Sequence, residues 1–431
     1  MKKILPGLFL LICISCNESG VKLAKPSTFV HYFNGGTPDF SQAIIKTKSA
    51  LGSGTPVGGY LILANSQTAL TSTYYRIKLI RVDEYGNEQW QSLLPVPQKD
   101  APSYRGFGIT PITDNSGLDI GYFMVGEEIY VDPANNNTRT QGLLMIQVDT
   151  KGVLVKTATL AATDIGVNDV GAQISGVGVT QAKNGNFYVL GELQGSVAGD
   201  MLLAEIDANN LTKVWSRTFG AAATTLVNKV FTYGDSIYWG GTRTAGTSQE
   251  MRWISTQINS GSKSDNPYPS GQAYSLSNQP INYTCSDICK YGFGYGFVGS
   301  YSLSPGVFSR IAFFRVNESG QQVDSVSYAL PYPQQAPYQA GNSICSTNDG
   351  GFLILGTAAT DISTSDTNYI LIKTDAHGTQ QWRKDYGGKF IDVGVKVLQA
   401  DDGGFIILGT TTLANVESVF LMKTDSDGNI Q

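Results

Sequence analysis

Histidine is almost missing from this chain: only His31 and His377 occur in 431 residues. A Ser-His-Asp triad or a multi-histidine metal centre therefore has almost nothing to be built from. Charge is thin too. Charged residues make up 15% of the chain, with 30 Lys and Arg against 35 Asp and Glu. No basic block stands out, which argues against a nucleic-acid partner. Amphipathic helical periodicity is absent. Beyond the N-terminus, no segment approaches the ~20 continuous apolar residues that a membrane-spanning helix needs. Cysteines are few: Cys13, Cys16, Cys285, Cys289 and Cys345. The last three are an odd number, so at most one bridge forms among them. CSDIC (Cys285 to Cys289) has a metal-like spacing, but no second pair and no nearby histidine completes a zinc site. No metal and no cofactor is expected.

What is present begins with Lys2 and Lys3, followed by a twelve-residue stretch from Ile4 to Ser15 that is apolar apart from Pro6, Gly7 and Ser15 itself, then Cys16 and Asn17. A short apolar segment, a small residue and a cysteine resemble the lipobox of bacterial lipoproteins, with Cys13 standing where leucine is usual. The resemblance implies a signal peptide over 1–15, a lipidated (palmitate-bearing) Cys16 and a polar tether over 16–28. Two or three acyl chains hold a protein on a membrane where one is marginal. The expected location is the outer membrane, on its periplasmic or its surface-exposed face.

The remainder, 29–431, is built on a repeat. GGFLILGT (Gly350 to Thr357) returns as GGFIILGT (Gly403 to Thr410), and weaker copies start at Gly58, Gly121, Gly185, Ser236 and Gly294. The small residue that ends each motif marks the period: Ala64, Gly126, Gly191, Gly241, Gly299, Gly356 and Gly409, on average about 57 residues apart. Each unit reads as four short strands. A first strand such as Val393 to Ala400 leads through a DGG-type turn to GFIILGT. A variable loop leads on to YILIKTD, and an Asp-x-x-Gly turn to a fourth strand such as QQWRKDY. The second and third strands are nearly unbroken apolar runs, as expected when both faces are covered. Asp-x-x-Gly suits a short hairpin with glycine in the left-handed conformation. The expected fold is all-β: a single seven-bladed β-propeller with four-stranded blades.

The last unit lacks its fourth strand. DSDGNIQ (Asp425 to Gln431) stops one position before the tryptophan of DEYGNEQW (Asp83 to Trp90) and DAHGTQQW (Asp375 to Trp382). At the other end, FVHYFNGG (Phe29 to Gly36) parallels QWRKDYGG (Gln381 to Gly388). The N-terminal strand is therefore expected to complete the last blade and close the ring, hiding edges that an open array exposes. DGGF with LGT, then LIKTD, Gly, Trp and YGG, resembles the DGG-type propeller repeats of Bacteroidetes-type surface and secreted proteins. That resemblance implies the fold and no single activity. Two other propeller signatures fail on spacing. A sialidase Asp-box sets Asp and Trp five apart and a quinoprotein repeat sets Asp and Gly four apart. Here Asp375 and Trp382 are seven apart, and Asp375 and Gly378 three.

Function is less legible. Glu127 and Glu192 follow the marker glycine in neighbouring units and, with Asp392 at the start of a first strand, are the available carboxylates for glycoside chemistry. TDSDG and NDGG look like calcium loops but lack the further ligands of a site with about six to eight oxygens, so they read as turns. LPVPQKDAPSYRG (Leu94 to Gly106) and LPYPQQAPYQAG (Leu330 to Gly341) share a Pro- and Tyr-rich pattern between a fourth strand and the next first strand. Tyr104, Arg105, Tyr332 and Tyr338 are candidate ligand-face residues there, because tyrosine offers a stacking face and a hydroxyl. Gln173, Asn228, Asn282, Gln339 and Asp392 are candidates at the channel mouth. Each of these sets has a plain structural alternative, rigid straps and solvated strand ends. The expected function is a non-catalytic binding or scaffold module for an envelope protein or a glycan. The alternative is a glycan-active hydrolase or lyase using channel-facing carboxylates.

Overall fold

The computed structural model describes residues 28–50, 56–94, 102–132, 138–167, 171–195, 201–219, 225–233, 236–245, 248–257, 272–274, 282–292, 294–302, 309–328, 339–359 and 366–430. Cys16 and the N-terminal segment lie outside them. Among the described residues no helix is long and apolar enough to cross a membrane.

The protein is an all-β propeller of four-stranded blades. Its described strands form four-stranded antiparallel sheets, numbered here in chain order. Sheet I holds Asp39–Lys46, Tyr60–Gln67, Tyr75–Val82 and Glu88–Leu94, and sheet II holds Ser103–Thr113, Asp119–Asp132, Thr138–Val148 and Leu154–Leu160. Sheet III comprises Gln173–Gln181, Phe187–Gln194, Met201–Ile206 and Lys213–Phe219, and sheet IV Thr225–Tyr233, Ser236–Ala245, Ser248–Gln257 and Gln272–Tyr274. Sheet V runs through Asn282–Tyr291, Gly294–Ser302, Ser309–Asn317 and Gln322–Tyr328, and sheet VI through Gln339–Ser346, Phe352–Ala359, Thr367–Thr374 and Gln380–Tyr386. Sheet VII takes Asp392–Gln399, Phe405–Leu413 and Val416–Thr424, and its fourth strand is Phe29–Phe33. A two-strand ribbon, Ser49–Ala50 with Pro56–Val57, and a 3-10 turn, Ala162–Ile165, are the remaining elements.

The apolar middle strands put a hydrophobic layer on each face of a sheet. One layer joins Leu61, Leu63 and Ile77 of sheet I to Tyr122, Met124 and Ile146 of sheet II. Another joins Phe123 and Val125 to Phe187 and Val189 of sheet III, with the two phenylalanine rings stacked at 3.8 Å. The same arrangement links III to IV, IV to V, V to VI and VI to VII. A further layer packs Ile44, Ile62 and Ile80 of sheet I against Ile406, Leu408 and Leu421 of sheet VII and Phe33. Each fully buried Leu or Ile in these layers contributes roughly 1.5–3 kcal/mol of transfer free energy.

The marker residues now have a cause. In every sheet the first strand carries a β-bulge opposite the marker. The bulge swings a first-strand carbonyl onto the second strand. A Cβ on Gly409 would lie 2.7 Å from the Val393 carbonyl oxygen, and one on Gly356 2.8 Å from that of Ala340. Only the smallest residues fit there.

After four of the markers, the next residue caps the bulge of the neighbouring sheet. Gly106 N–H donates to Asn65 Oδ1 (2.8 Å), Cys285 N–H to Thr242 Oγ1 (2.9 Å) and Gly394 N–H to Thr357 Oγ1 (3.0 Å). Ser41 N–H donates likewise to Thr410 Oγ1 at 2.9 Å, from sheet I to sheet VII.

The Asp-x-x-Gly turns behave as side-chain-capped turns. Asp375 Oδ1 accepts from the N–H groups of His377 and Thr379, and Asp425 Oδ1 from those of Asp427 and Asn429. Gly378 and Gly428 take φ of 82° and 75°. Four of these glycines, Gly86, Gly152, Gly378 and Gly428, which follow third strands, also seat on the outer strand of a neighbouring sheet. Added Cβ atoms would meet Trp90 and Ser92 at Gly152, Trp382 and Lys384 at Gly428, and Phe29 and His31 at Gly86.

This contact corrects the sequence alignment by one residue. Phe29 pairs with Lys423 as Trp382 pairs with Lys373, so Phe29 occupies the tryptophan position rather than that of Gln381. Matching the trailing Gly-Gly pairs hid the offset, because the ring under the turn glycine sets the register.

Candidate functional site

The first strands begin on one face, called here the upper face, and the third strands begin there too. Where sheets I and II meet on that face, several polar and aromatic side chains converge. Arg105 lies with its guanidinium carbon 4.4 Å from the centre of the Tyr75 ring. Its Nη1 stands 3.4 Å from Glu127 Oε1, and Gln141 Nε2 donates to Glu127 Oε2 at 2.7 Å. Tyr75 is held from both sides, by Phe40 edge-on at 6.1 Å and by Gln67 Nε2, which donates to its hydroxyl at 3.1 Å. Arg76, buried, donates through Nη1 to the carbonyls of Tyr75 and Pro102, both at 3.2 Å, and its guanidinium lies 5.6 Å from the Tyr104 ring. Burial, followed by the nearby Glu128 carboxylate, pushes the Tyr104 hydroxyl above its ordinary range. The Arg105 side chain is 37% exposed, whereas that of Glu127 is 7%. The surface therefore offers a stacking ring and a cation, and it keeps the carboxylate inside. Such a cation–ring pair contributes about 0.5–2 kcal/mol, depending on desolvation.

Tyr104 and Arg105 are thus both in this cluster, but as part of the strand Ser103–Thr113 rather than of a surface strap. Tyr332 and Tyr338 lie outside the described residues. The other mouth candidates are mostly seams. Asn282 Oδ1 accepts from Gln249 N–H at 3.0 Å, Gln339 N–H donates to Ser309 Oγ at 3.0 Å, and Asp392 N–H donates to Thr367 Oγ1 at 3.1 Å. Each bond joins a first strand to the third strand of the sheet before it. Asp392 does not face open solvent: it is 5% exposed, and its carboxylate accepts from Gly388 N–H and Thr411 Oγ1. Burial raises its pKa. Gln173 is half-buried at the start of its strand, opposite Gln194, and Asn228 is the bulged residue between Val227 and Lys229. Glu127 sits with Arg105 in sheet II, and Glu192 stands at the corresponding position of sheet III, opposite Met201.

Sequence reading missed Tyr75, which lies in a third strand one repeat before Arg105. It also missed Asp287, in the middle of CSDIC. Asp287 is fully buried, and Lys229 and Lys396 both reach it. The flanking cysteines drew attention to metal chemistry and away from the aspartate. Cys285, Cys289 and Cys345 are free thiols, and burial pushes all three above the ordinary thiol range. Among the described residues no group of three or more His, Cys, Asp or Glu is placed to hold a metal ion.

No protein-family model matches the chain, and no curated protein matches it. Solved structures do. A polysaccharide lyase described as an ulvan lyase of a new family aligns with a TM-score of 0.51 at 10% identity, over 92% of this chain and 96% of that one. The polysaccharide lyase Uly1 aligns with the same TM-score and identity, over 85% and 88%. At this identity the likeness shows the fold, a β-propeller, and nothing about the reaction.

Proposed function

We propose that the chain is a lipid-anchored cell-envelope protein of the outer membrane, tethered through Cys16, whose upper face binds a glycan without turning it over. The observation that carries this reading is the Tyr75–Arg105 pair. A planar ring can stack on a sugar face, and a half-exposed guanidinium can hold a carboxylate or a row of hydroxyls. Glu127, the carboxylate closest to Arg105, is committed to Gln141 and Arg105 and lies inside the protein. Asp392 is tied to a backbone N–H and a threonine. Neither has the freedom of a general acid or base paired across a glycosidic bond. The test is glycan-array binding followed by calorimetry. Arg105→Ala and Tyr75→Ala are each expected to weaken a positive glycan at least tenfold with the melting temperature held within a few degrees. Absence of any glycan binding, or binding unchanged in both variants, refutes the reading.

The same proposal includes a closed ring of seven blades with Phe29–Phe33 as the fourth strand of the last. Three features support it. Sheets VII and I share a hydrophobic layer. Ser41 and Thr410 repeat the bulge-capping bond found between other neighbours. Phe29 and His31 lie under Gly86 as Trp382 and Lys384 lie under Gly428.

A second reading, a glycan-active enzyme, draws on the likeness to two polysaccharide lyases along most of the chain. Chromatography of glycans incubated with the protein separates the two: shortened products favour the enzyme.

A further inference from the structure

The bulges place one residue of each first strand at an equivalent level: Ala43, Gly108, Gly178, Lys229, Asp287, Ser343 and Lys396. Three consecutive sheets bring almost no side chain there. The next four bring a polar group each. Lys396 Nζ lies 2.8 Å and Lys229 Nζ 3.6 Å from Asp287 Oδ1. Those lysines come from sheets VII and IV, and the aspartate from sheet V. Strands so far apart in the order of sheets meet at one carboxylate only where first strands converge, around the propeller axis.

Asp287 has no capacity left. Oδ1 also accepts from Ile288 N–H at 2.9 Å, and Oδ2 from Ser343 Oγ at 2.7 Å and Ile344 N–H at 3.1 Å. Ser343 Oγ accepts in turn from Val397 N–H at 3.2 Å. The lysines are different. Asp287 is fully buried, but the side chains of Lys229 and Lys396 are 35% and 20% exposed. Among the described residues Asp287 is the only carboxylate within ion-pair range of either, so two ammonium groups share one negative charge. Each ammonium has three N–H donors and points only one way at the aspartate. Among the described residues the cluster therefore carries one positive charge more than negative, on two ammonium side chains that remain partly exposed. Partial burial sharpens the attraction of such a charge for an anion by lowering the local dielectric.

We propose that this axial cluster is an oxyanion-binding site, in which Lys229 and Lys396 grip one carboxylate or phosphate-like group while Asp287 fixes the two ammonium groups in place. Burial lowers the Lys396 ammonium below its ordinary range, and an anion beside it would reverse that shift. The site is separate from the Tyr75–Arg105 cluster, so Arg105→Ala should leave it intact.

Isothermal titration with glucuronate and, separately, inorganic phosphate, in chloride buffer, tests the site and distinguishes a sugar acid from a free anion. Saturable binding by at least one of them is expected, weakened at least tenfold in Lys229→Met, whose loss leaves Lys396 on Asp287. Amine acetylation read by mass spectrometry supplies a second measure that needs no variant: the bound oxyanion should slow labelling of Lys229 and Lys396 and leave that of exposed Lys151 unchanged. Absence of saturable binding by either probe overturns the proposal, as does binding unchanged in Lys229→Met, or unaltered labelling of both lysines under saturating probe.

Discussion

Cross-linking the two ends of the chain tests the proposed closure most directly. Val30 and Met422 are Cα partners across the antiparallel pair of Phe29–Phe33 and Val416–Thr424, and both face the layer shared with sheet VI. Antiparallel partners sit about 4.5–5.5 Å apart at Cα, inside the range of about 4.4–6.8 Å that a disulfide spans. A Val30→Cys, Met422→Cys variant should therefore oxidise without moving the backbone. The closed loop contains about 390 residues, for which the chain-entropy relation gives about 6 kcal/mol. Unfolding entropy of roughly 2.1 cal/mol/K per residue over about 400 residues amounts to ~0.8 kcal/mol/K, so the bridge should raise the melting temperature by about 7 °C, less any native strain. Comparing the oxidised and reduced forms of the same protein cancels the packing lost at Met422. Val30→Cys with Leu421→Cys is the control, because Leu421 faces the opposite layer, toward sheet I. The reasoning fails if the first pair does not bridge, if the control bridges as readily, or if oxidation leaves the melting temperature unchanged.

Other perturbations are simpler. Gly409→Ala should destabilise by about 1–3 kcal/mol through overpacking against Val393 and Tyr369, whereas Ala64→Gly at the equivalent position should cost less than about 1 kcal/mol; chemical denaturation measures both, and equal effects would contradict the role given to the bulge. Thr357→Val leaves the buried Gly394 N–H without its acceptor, an expected loss of about 1–3 kcal/mol in the same assay. Burial raises the Asp287 pKa, but Lys229 and Lys396 outweigh it and hold the carboxyl at about 2, below its ordinary 3.8. Its contribution is therefore complete above about pH 4 and is lost as pH falls toward 2, which predicts that Asp287→Asn, destabilised by roughly 3–5 kcal/mol at pH 7, loses less further stability than wild type over that acid window. Cys16→Ser should move the protein from the membrane fraction to the soluble fraction and abolish palmitate labelling; retention of both would remove the proposed anchor.

The repeat was readable because its constraints are local. Gly356 and Gly409 recur where a carbonyl presses on the second strand, and Asp375 and Asp425 recur where one carboxylate caps two N–H groups of its own turn. Such pressures act within one unit and so leave a periodic trace. The site residues obey no such period. Tyr75 gains its importance from Arg105 in the next unit, and nothing in YRIKLIRV distinguishes that tyrosine from a strand-end aromatic. Asn282, Gln339 and Asp392 stand at the starts of first strands, but a side chain or N–H there also faces the preceding third strand, and that contact claims them. The axial cluster is harder still. A bulge adds one residue to the first strand and so changes which side chains face the axis; simple alternation along the strand cannot anticipate the outcome. Given the bulge, Lys229, Asp287, Ser343 and Lys396 fall at one level. Three other sheets have the same bulge with Ala43, Gly108 and Gly178 after it, so the backbone needs no charge at this position. The bulge would form without the lysines, and burying Asp287 imposes a desolvation cost that an apolar residue would avoid. The polar arc confined to four of these positions ties sheets IV to VII together through Asp287 and Ser343, but that tie needs only one cation; the second lysine is the part that the proposed oxyanion would account for.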